Sequence, residues 1–232
     1  MRQPGAPWPV MERPLPVLAL AVAAGTMSGY TFFVAQIFST VQSGNMIQFG
    51  YWLALGDFGR WLPAALAILA FGLGSAATAV VENAAARRRW DHSAPILVFE
   101  AAVLGLLGFS AVHDRFDPIA VCYAISFLAG MQGNAFHRME GMLYGNVAVT
   151  MVVQMAFNYL TQSLFRAPWS NLSNSGLYFM VLVGFAAGGF VAAALASAVG
   201  ERTLWLTAAL LLATAVAGLA ARTDGVAIDA SA

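Results

Sequence analysis

Six long apolar runs, separated by short segments with polar and charged residues, dominate this chain. Each run is long enough for an α-helix to cross about 30 Å of hydrocarbon at about 1.5 Å per residue. The runs cover residues 15–38, 61–81, 94–112, 118–136, 176–199 and 204–221. They predict an all-α, polytopic membrane protein with about six transmembrane helices.

Two further segments, 39–59 and 141–165, are apolar enough to enter a membrane but dense in Gln, Asn, Ser, Thr and Gly. Their periodicity does not decide whether each segment crosses the bilayer or returns to the side from which it entered. Inside a bilayer, a broken helix is tolerated only where its backbone is buried in protein or lines a wet cavity. We therefore expect two broken or re-entrant polar hairpins, with full crossing as the alternative.

The positions of the arginines bear on these alternatives. With a cytoplasmic amino terminus and two re-entrant hairpins, eight arginines lie inside, and only Arg60, Arg115 and Arg202 lie outside. If both segments cross instead, the division becomes six against five, and residues 87–89 lie outside. Because cytoplasmic loops carry an excess of Lys and Arg, six spans with both termini in the cytoplasm of a bacterium are favoured, in its inner membrane. The predicted parts are an exposed, proline-rich cytoplasmic lead-in at 1–14, one transmembrane domain at 15–221 and a cytoplasmic tail at 222–232.

Three spans in each half would make the two halves run in opposite directions, so any internal repeat must be inverted. Weak similarity supports a 3+3 inverted repeat, with one half at about 15–112 and the other at about 118–221. Gly25 and Gly130 each follow an alanine and lie 105 residues apart. The stretch "AFGLGSA" at 70–76 aligns with "GFAAGGF" at 184–190, which matches Phe71 with Phe185 and Gly74 with Gly188.

Composition agrees with a membrane location. The chain has 60% apolar and 9% charged residues, which is more apolar surface than one soluble core could hide. Eleven arginines, no lysine and 11 acidic residues leave no basic field for nucleic acid. The sequence has no G-x-S-x-G, H-E-x-x-H, Walker loop or cysteine pair, so we expect neither an enzyme nor a bound metal or cofactor.

Two stretches carry a family resemblance: "AGTMSGY" with "SGNMIQFG" in the first half, and "LAGMQGNAFHRMEG" in the second. In them the chain resembles the YoaK-like family of bacterial integral membrane proteins, whose function is unknown. The resemblance covers about residues 15–221. Ser43, Gly44 and Asn45 match the first motif, and Gly130, Gln132, Arg138 and Gly141 match the second region. It implies a topology of transmembrane helices and supplies no substrate.

The candidate site consists of amides, hydroxyls and glycines in and near the two polar hairpins. Asn and Gln offer both donors and acceptors, which can replace lost helical hydrogen bonds, hold a solute or join helices. If the hairpins meet near the midplane, they form a hydrated, amide-rich pocket at the repeat interface. The candidate binding residues are Gln42, Ser43, Asn45 and Gln48 in the first set and Gln132, Asn134, Asn146 and Thr150 in the second. The glycines expected to permit helix breaks are Gly25, Gly44 and Gly130.

Four ionisable residues are candidates for a gate or a proton relay: Glu100, His137, Arg138 and Glu140. Glu100 lies inside a predicted helix, where the alternatives are snorkelling to the cytoplasmic face or pairing with an arginine such as Arg138. The other three end a predicted span in "HRMEG", and an interfacial cluster is the alternative for them.

Together these features predict a secondary transporter or facilitative channel that moves a small neutral or weakly polar solute around the paired hairpins. The alternative is a non-transporting scaffold or accessory subunit that binds partners through its small-residue helix faces. An intramembrane enzyme would need Glu100 and His137 to share one wet pocket. Expected partners are the lipid bilayer, the solute, and either a second copy of the chain or a larger membrane complex.

Overall fold

The computed structural model describes residues 8–88, 90–165 and 168–223; the rest of the predicted lead-in and tail, Arg89 and Arg166 lie outside these residues. The helices described are α1 Pro14–Ala35, α2 Gln42–Ala54, α3 Phe58–Arg88, α4 Ser93–Leu107, α5 Ser110–His113, α6 Pro118–Ala135, α7 Val149–Phe165, α8 Pro168–Val199 and α9 Thr203–Thr223. Short 3-10 turns cover Val10–Glu12 and Gly200–Arg202, and two strands, β1 Arg138–Met139 and β2 Met142–Leu143, form a small hairpin. The predicted all-α class is confirmed.

The six predicted spans correspond to α1, α3, α4, α6, α8 and α9. Three helical stretches are long and apolar enough to cross a membrane: Pro14–Ala35, Phe58–Arg88 and Trp169–Ala221, the last of which contains both α8 and α9. Large apolar side chains on their outer faces, such as Leu73 and Phe190, are exposed. Exposed apolar surface of this extent is typical of helices that face lipid. The chain therefore has the helices of a membrane protein.

The first polar segment is broken. α1 ends at Ala35 because Gln36 adopts a left-handed conformation with φ of 55°, and residues 36–41 are irregular before α2 begins. Asn45 of α2 closes this break. Its Oδ1 accepts the N–H of Phe38 at 2.9 Å, and its Nδ2 donates to the carbonyl of Phe38 at 2.6 Å. The side chain thus replaces hydrogen bonds that the interrupted helix cannot make.

The second polar segment is also broken, and its break is longer. α6 ends at Ala135, and residues 136–148 contain the β1–β2 hairpin and an irregular stretch before α7. The hairpin turns at Glu140 and Gly141, whose φ angles of 47° and 76° are those that a two-residue type I′ turn requires.

In the second break, Asn146 has a place similar to that of Asn45 in the first. It also follows a glycine, is fully buried, and donates to the carbonyl of Gln132 near the end of α6 at 3.4 Å.

The helices pack in pairs that correspond between the two halves. α1 packs on α8 as α6 packs on α3, α2 packs on α3 as α7 packs on α8, and α1 contacts α9 as α6 contacts α4. Two further pairs, α4 with α9 and α1 with α6, join equivalent helices of the two halves. These main contacts are therefore reproduced when each helix is exchanged for its equivalent: α1 for α6, α2 for α7, α3 for α8 and α4 for α9. A smaller contact of α8 with α9 has no equivalent of the same extent between α3 and α4.

The correspondence extends to single residues. A Cβ built on Gly25 would overlap the carbonyl oxygen of Phe185, and a Cβ built on Gly130 would overlap that of Phe71. The sequence comparison matched Gly25 with Gly130 and Phe71 with Phe185, so the two contacts join equivalent residues. Both glycines lie inside continuous helices, so the predicted helix breaks at Gly25 and Gly130 are wrong. The missing side chain instead allows two helix backbones to touch, as small residues do in membrane bundles.

A second pair of glycines makes the reciprocal contacts. Gly74 of α3 lies against the carbonyl of Phe127 on α6, and Gly188 of α8 lies against the carbonyl of Val22 on α1. Phe127 lies 105 residues after Val22, which is the same separation as that between Gly25 and Gly130. Four helices are therefore held together as two glycine-lined pairs with matching registers.

The lead-in packs into the bundle. Met11 belongs to the largest apolar cluster, together with side chains of α1, α4, α6 and α9 such as Leu20, Leu97 and Ile125. Val10 and Glu12 are buried as well. The expected exposure of the lead-in is therefore wrong for residues 10–12, because an apolar side chain of this segment completes the core.

Candidate functional site

A cavity of about 430 Å³ lies at one end of the bundle. It is formed where the lead-in, the end of α3, the start of α4 and the end of α6 come together. Its polar lining residues are Glu12, Glu82, Asn83, His92, His137 and Arg138, and its apolar lining residues are Met11, Ala85, Ala86, Trp90, Ala135 and Phe136. Small-molecule sites are concave and carry a few convergent polar groups. This cavity has such groups on a lining that is about half polar.

Glu12 forms one wall of the cavity and is held by the β1–β2 turn. Its carboxylate accepts the N–H of Gly141 at 2.8 Å, and its backbone carbonyl accepts the N–H of Glu140 at 2.9 Å. Trp8 packs over Gly141, where a Cβ would come within about 3 Å of the indole ring. The lead-in and the hairpin therefore form one unit that borders the cavity.

Tyr144 follows the hairpin and is also buried. Burial, and then the nearby carboxylate of Glu12, raises the pKa of the Tyr144 hydroxyl. No partner of this hydroxyl is found in the described part of the chain. The phenol therefore stays neutral and keeps a proton that it can donate.

Glu82 lies near the end of α3 and joins the other polar side chains of the cavity. One carboxylate oxygen lies 3.8 Å from Nε2 of His92, and the other accepts from Nδ2 of Asn134 at 3.5 Å. The His92 side chain is only 6% exposed, whereas that of Glu82 is 32% exposed and faces the cavity. Carboxylate, imidazole and amide groups thus offer a solute both donors and acceptors. The described residues contain no group of three His, Cys, Asp or Glu side chains placed to hold a metal ion.

Three of the predicted site residues lie at or beside this cavity. His137 and Arg138 line it, and both are exposed. Nδ1 of His137 lies 2.7 Å from the carbonyl oxygen of Asn134, whose side chain reaches Glu82. Glu140 does not line the cavity and instead forms the hairpin turn.

The first set of predicted amides serves the first break. Asn45 makes the two bonds to Phe38 and also donates to Oε1 of Gln42 at 2.9 Å, so both functional atoms of its amide are engaged within the chain. Gln42 donates to the carbonyl of Ser39, and Gln48 donates to that of Gln36. Ser43 is exposed, and Gly44 lies in the first turn of α2 against the ring of Phe38.

The second set is divided between two places. Gln132 is fully buried and donates to the carbonyl of Leu20 on α1 at 3.0 Å, while its own carbonyl accepts from Asn146. The Oε1 of Gln132 and the Oδ1 of Asn146 have no partner among the described residues. Thr150 is exposed near the start of α7. Within the described ranges no hydrogen bond joins this set directly to the first, and a shared, hydrated amide site stays a prediction.

Comparison with known proteins identifies the family. Residues 17–217 match the family described as "Protein of unknown function (DUF1275)". The chain belongs to the DUF1275 family. No curated protein and no solved structure matches it significantly. The DUF1275 match covers all of α2 to α8 and most of α1 and α9, and it includes both glycine-lined helix pairs.

In this DUF1275 protein Glu100 stands apart from the other ionisable candidates. It is fully buried in α4, and neither carboxylate oxygen has a partner in the part of the chain that the structure describes. Arg138 is exposed at the cavity, so the alternative in which Glu100 pairs with Arg138 is wrong. Glu100 does not line the cavity that His137 lines. The two residues therefore do not share that pocket.

Four polar cavity residues of this DUF1275 protein were missed by sequence reasoning: Glu12, Glu82, Asn83 and His92. Glu82 carried a usable signal, because it is the first carboxylate after the long apolar run of α3 and is followed by an amide, Asn83. Glu12 carried no such signal, because a single carboxylate in a proline-rich lead-in does not indicate that it accepts hydrogen bonds from a turn that begins 128 residues later.

Proposed function

We propose that this protein is a secondary transporter or facilitative channel of 3+3 inverted-repeat design that moves a small neutral or weakly polar solute. The observation that carries the proposal is the reciprocal contact of the two halves, in which Gly25 meets Phe185 as Gly130 meets Phe71. Secondary transporters are often built from two halves of opposite topology, and they work by moving one part against the other. A matched pair of glycine contacts is the kind of interface on which such a motion can pivot.

Contacts around the cavity support the six-span arrangement. The lining joins Glu12 of the lead-in, His92 of the α3–α4 connection and Arg138 after α6 at one end of the bundle. Six spans put these three connections on the same, cytoplasmic side, together with Arg87 and Arg88. Eight spans would put the lead-in on the opposite side of the membrane from the other two connections.

Contacts at the other end support the same arrangement. Nε1 of Trp205, at the start of α9, donates to the carbonyl of Gly105 near the end of α4 at 3.0 Å. Ser110 of α5 bonds to Glu201 in the turn before α9. Since α4 and α9 also pack along each other, they run in opposite directions. Six spans require this, whereas eight spans would make α4 and α9 parallel.

The cavity is the cytoplasmic mouth of the solute path in this proposal. Its carboxylates and imidazoles suit a small solute that both donates and accepts hydrogen bonds. Gln132 and Asn146 remain candidate ligands within the bundle, because each has a buried oxygen that no described residue satisfies. Asn45 is a weaker candidate, since a solute would have to displace bonds that it already makes with the backbone.

A scaffold or accessory subunit is the second candidate, and the close packing within the bundle favours it. Backbone contact at Gly25 and Gly130 leaves no space for water between α1 and α8 or between α3 and α6 at these levels. A scaffold keeps one conformation and needs no movement at these contacts. The proposal also includes an inner-membrane location with cytoplasmic termini, kinship to the YoaK-like proteins, and a second copy or larger complex as partner.

Uptake measurements with a panel of small metabolites test the proposal, using purified protein in proteoliposomes. Glu82→Gln removes the negative charge of a cavity carboxylate and leaves the side chain nearly the same shape. Glu140→Gln makes the same change outside the cavity and is the matched control. We expect at least one solute whose uptake is lost with Glu82→Gln and retained with Glu140→Gln. No uptake of any solute by the wild type, or equal losses in both variants, would contradict the proposed path.

A further inference from the structure

Glu100 lies in the middle of α4, on the face that packs into the bundle. Its exposed fraction is 0%, and its neighbours on the same face, Leu97, Ala101 and Leu104, all belong to the largest apolar cluster. α4 packs on α9 and α6, whose side chains Leu211 and Ile125 belong to the same cluster. A carboxyl group is therefore held on a helix face where the nearest buried side chains along α4 are hydrocarbon.

No described group compensates a charge at this position. Both carboxylate oxygens lack a hydrogen bond, and no ion pair to Glu100 is formed within the described ranges. Of the helices packed on α4, α6 carries the titratable side chains Cys122 and Tyr123, and neither makes a hydrogen bond to the Glu100 carboxyl group within the described ranges. α9 carries no titratable side chain between Thr203 and Ala221.

An unpaired carboxylate is far too costly in such a place, so Glu100 holds a proton in this conformation. A bound metal cation would need a shell of oxygen ligands, and the flanking positions on α4 offer none. The chemistry of the site therefore selects a proton as its ligand. Ionisable groups within transmembrane helices are rare, and they commonly belong to ion or proton paths.

We propose that Glu100 is a proton-binding site that couples proton movement to solute transport. This inference rests on the proposed function. In the packed conformation the carboxyl group keeps its O–H bond. When movement of the two halves admits water to the α4–α9 contact, that bond breaks, the proton passes to water, and the carboxylate remains until a proton returns from the other side. Each cycle thus carries one proton, and no other reactant is consumed.

Infrared difference spectroscopy of the protein in lipid nanodiscs tests the inference without a known solute. The wild-type spectrum minus that of Glu100→Gln isolates the carbonyl band of a protonated Glu100 carboxyl group. We expect this band near neutral pH, a frequency shift when H₂O is replaced by D₂O, and reversible loss of the band as the pH is raised. The shift and the loss both report access of solvent protons to a buried group.

Thr207→Val is the matched control, because Thr207 lies on the buried stripe of α9 and its hydroxyl also lacks a described partner. This variant should keep the band. If Glu100→Gln does not fold, Glu100→Asp replaces it, and the band should move rather than vanish. An absent wild-type band means an ionised Glu100 and overturns the inference. A band that responds to neither D₂O nor pH means a sealed structural acid and overturns it as well.

The two proposals can fail separately. A responsive Glu100 band in a protein that takes up no solute leaves the proton site in place and removes the transport function. Solute uptake that is equal in wild type and Glu100→Gln, and independent of a pH gradient, keeps transport and removes the coupling.

Discussion

Replacing Asn45 by Ala tests how the first helix break is stabilised. The substitution leaves both the N–H and the carbonyl of Phe38 without the partners that they have at 2.9 and 2.6 Å. An unsatisfied buried polar group costs about 1–3 kcal/mol. Because Phe38 is only partly buried, we expect the two groups together to lower the free energy of unfolding by about 2–4 kcal/mol.

Denaturant unfolding in mild detergent, followed by tryptophan fluorescence, measures this loss. Gln48→Ala is the control, since it removes one bond of 3.2 Å in an exposed setting and should cost less than about 1 kcal/mol. Equal stability of the two variants would refute the idea that Asn45 closes the break. An Asn45→Ala protein with full stability and no uptake would instead assign Asn45 to the solute.

Two further predictions concern packing. Gly25→Ala and Gly130→Ala should each destabilise the protein, by similar amounts of about 1–3 kcal/mol, because the added methyl groups meet backbone atoms of the neighbouring helix. Gly72→Ala is the control, because its added methyl group faces open space in α3, and it should be neutral or stabilising by up to about 1 kcal/mol. Thermal unfolding compares the three variants. Unequal effects of Gly25→Ala and Gly130→Ala would contradict the matched contacts. Glu12→Ala removes the carboxylate that accepts the N–H of Gly141, so a protease should cleave the lead-in faster than in the wild type. Limited proteolysis with mass spectrometry measures the cleavage rate. An unchanged rate would contradict a stabilising role for this contact.

The helices could be predicted from sequence because lipid imposes a simple rule on their length and composition. Their ends were harder to predict. α1 ends at Ala35, three residues before the predicted limit, because Gln36 turns left-handed within a stretch that is still apolar. The β1–β2 hairpin was not predicted, although Glu140 and Gly141 between Met139 and Met142 resemble an acidic-glycine turn flanked by apolar residues.

Glycine was the main source of error at the site. Gly25 and Gly130 were assigned to helix breaks, because a glycine in an apolar run indicates either flexibility or close packing. Which of the two applies depends on the neighbouring helix, and a single sequence does not supply that neighbour. The cavity was out of reach for the same reason, since residues as distant as Glu12 and Arg138 line it only after the bundle has formed.

Opposite orientation of the two halves is the central claim, and cysteine accessibility tests it most directly. In a Cys122→Ala background, which removes the one native thiol, Gly59→Cys reports the start of α3 and Ser170→Cys reports the start of α8. Both positions are exposed. A membrane-impermeant maleimide should label the first from outside intact cells and the second only from the cytoplasmic side. Labelling of both from the same side would mean that residues 141–165 cross the membrane fully, and would contradict the inverted design.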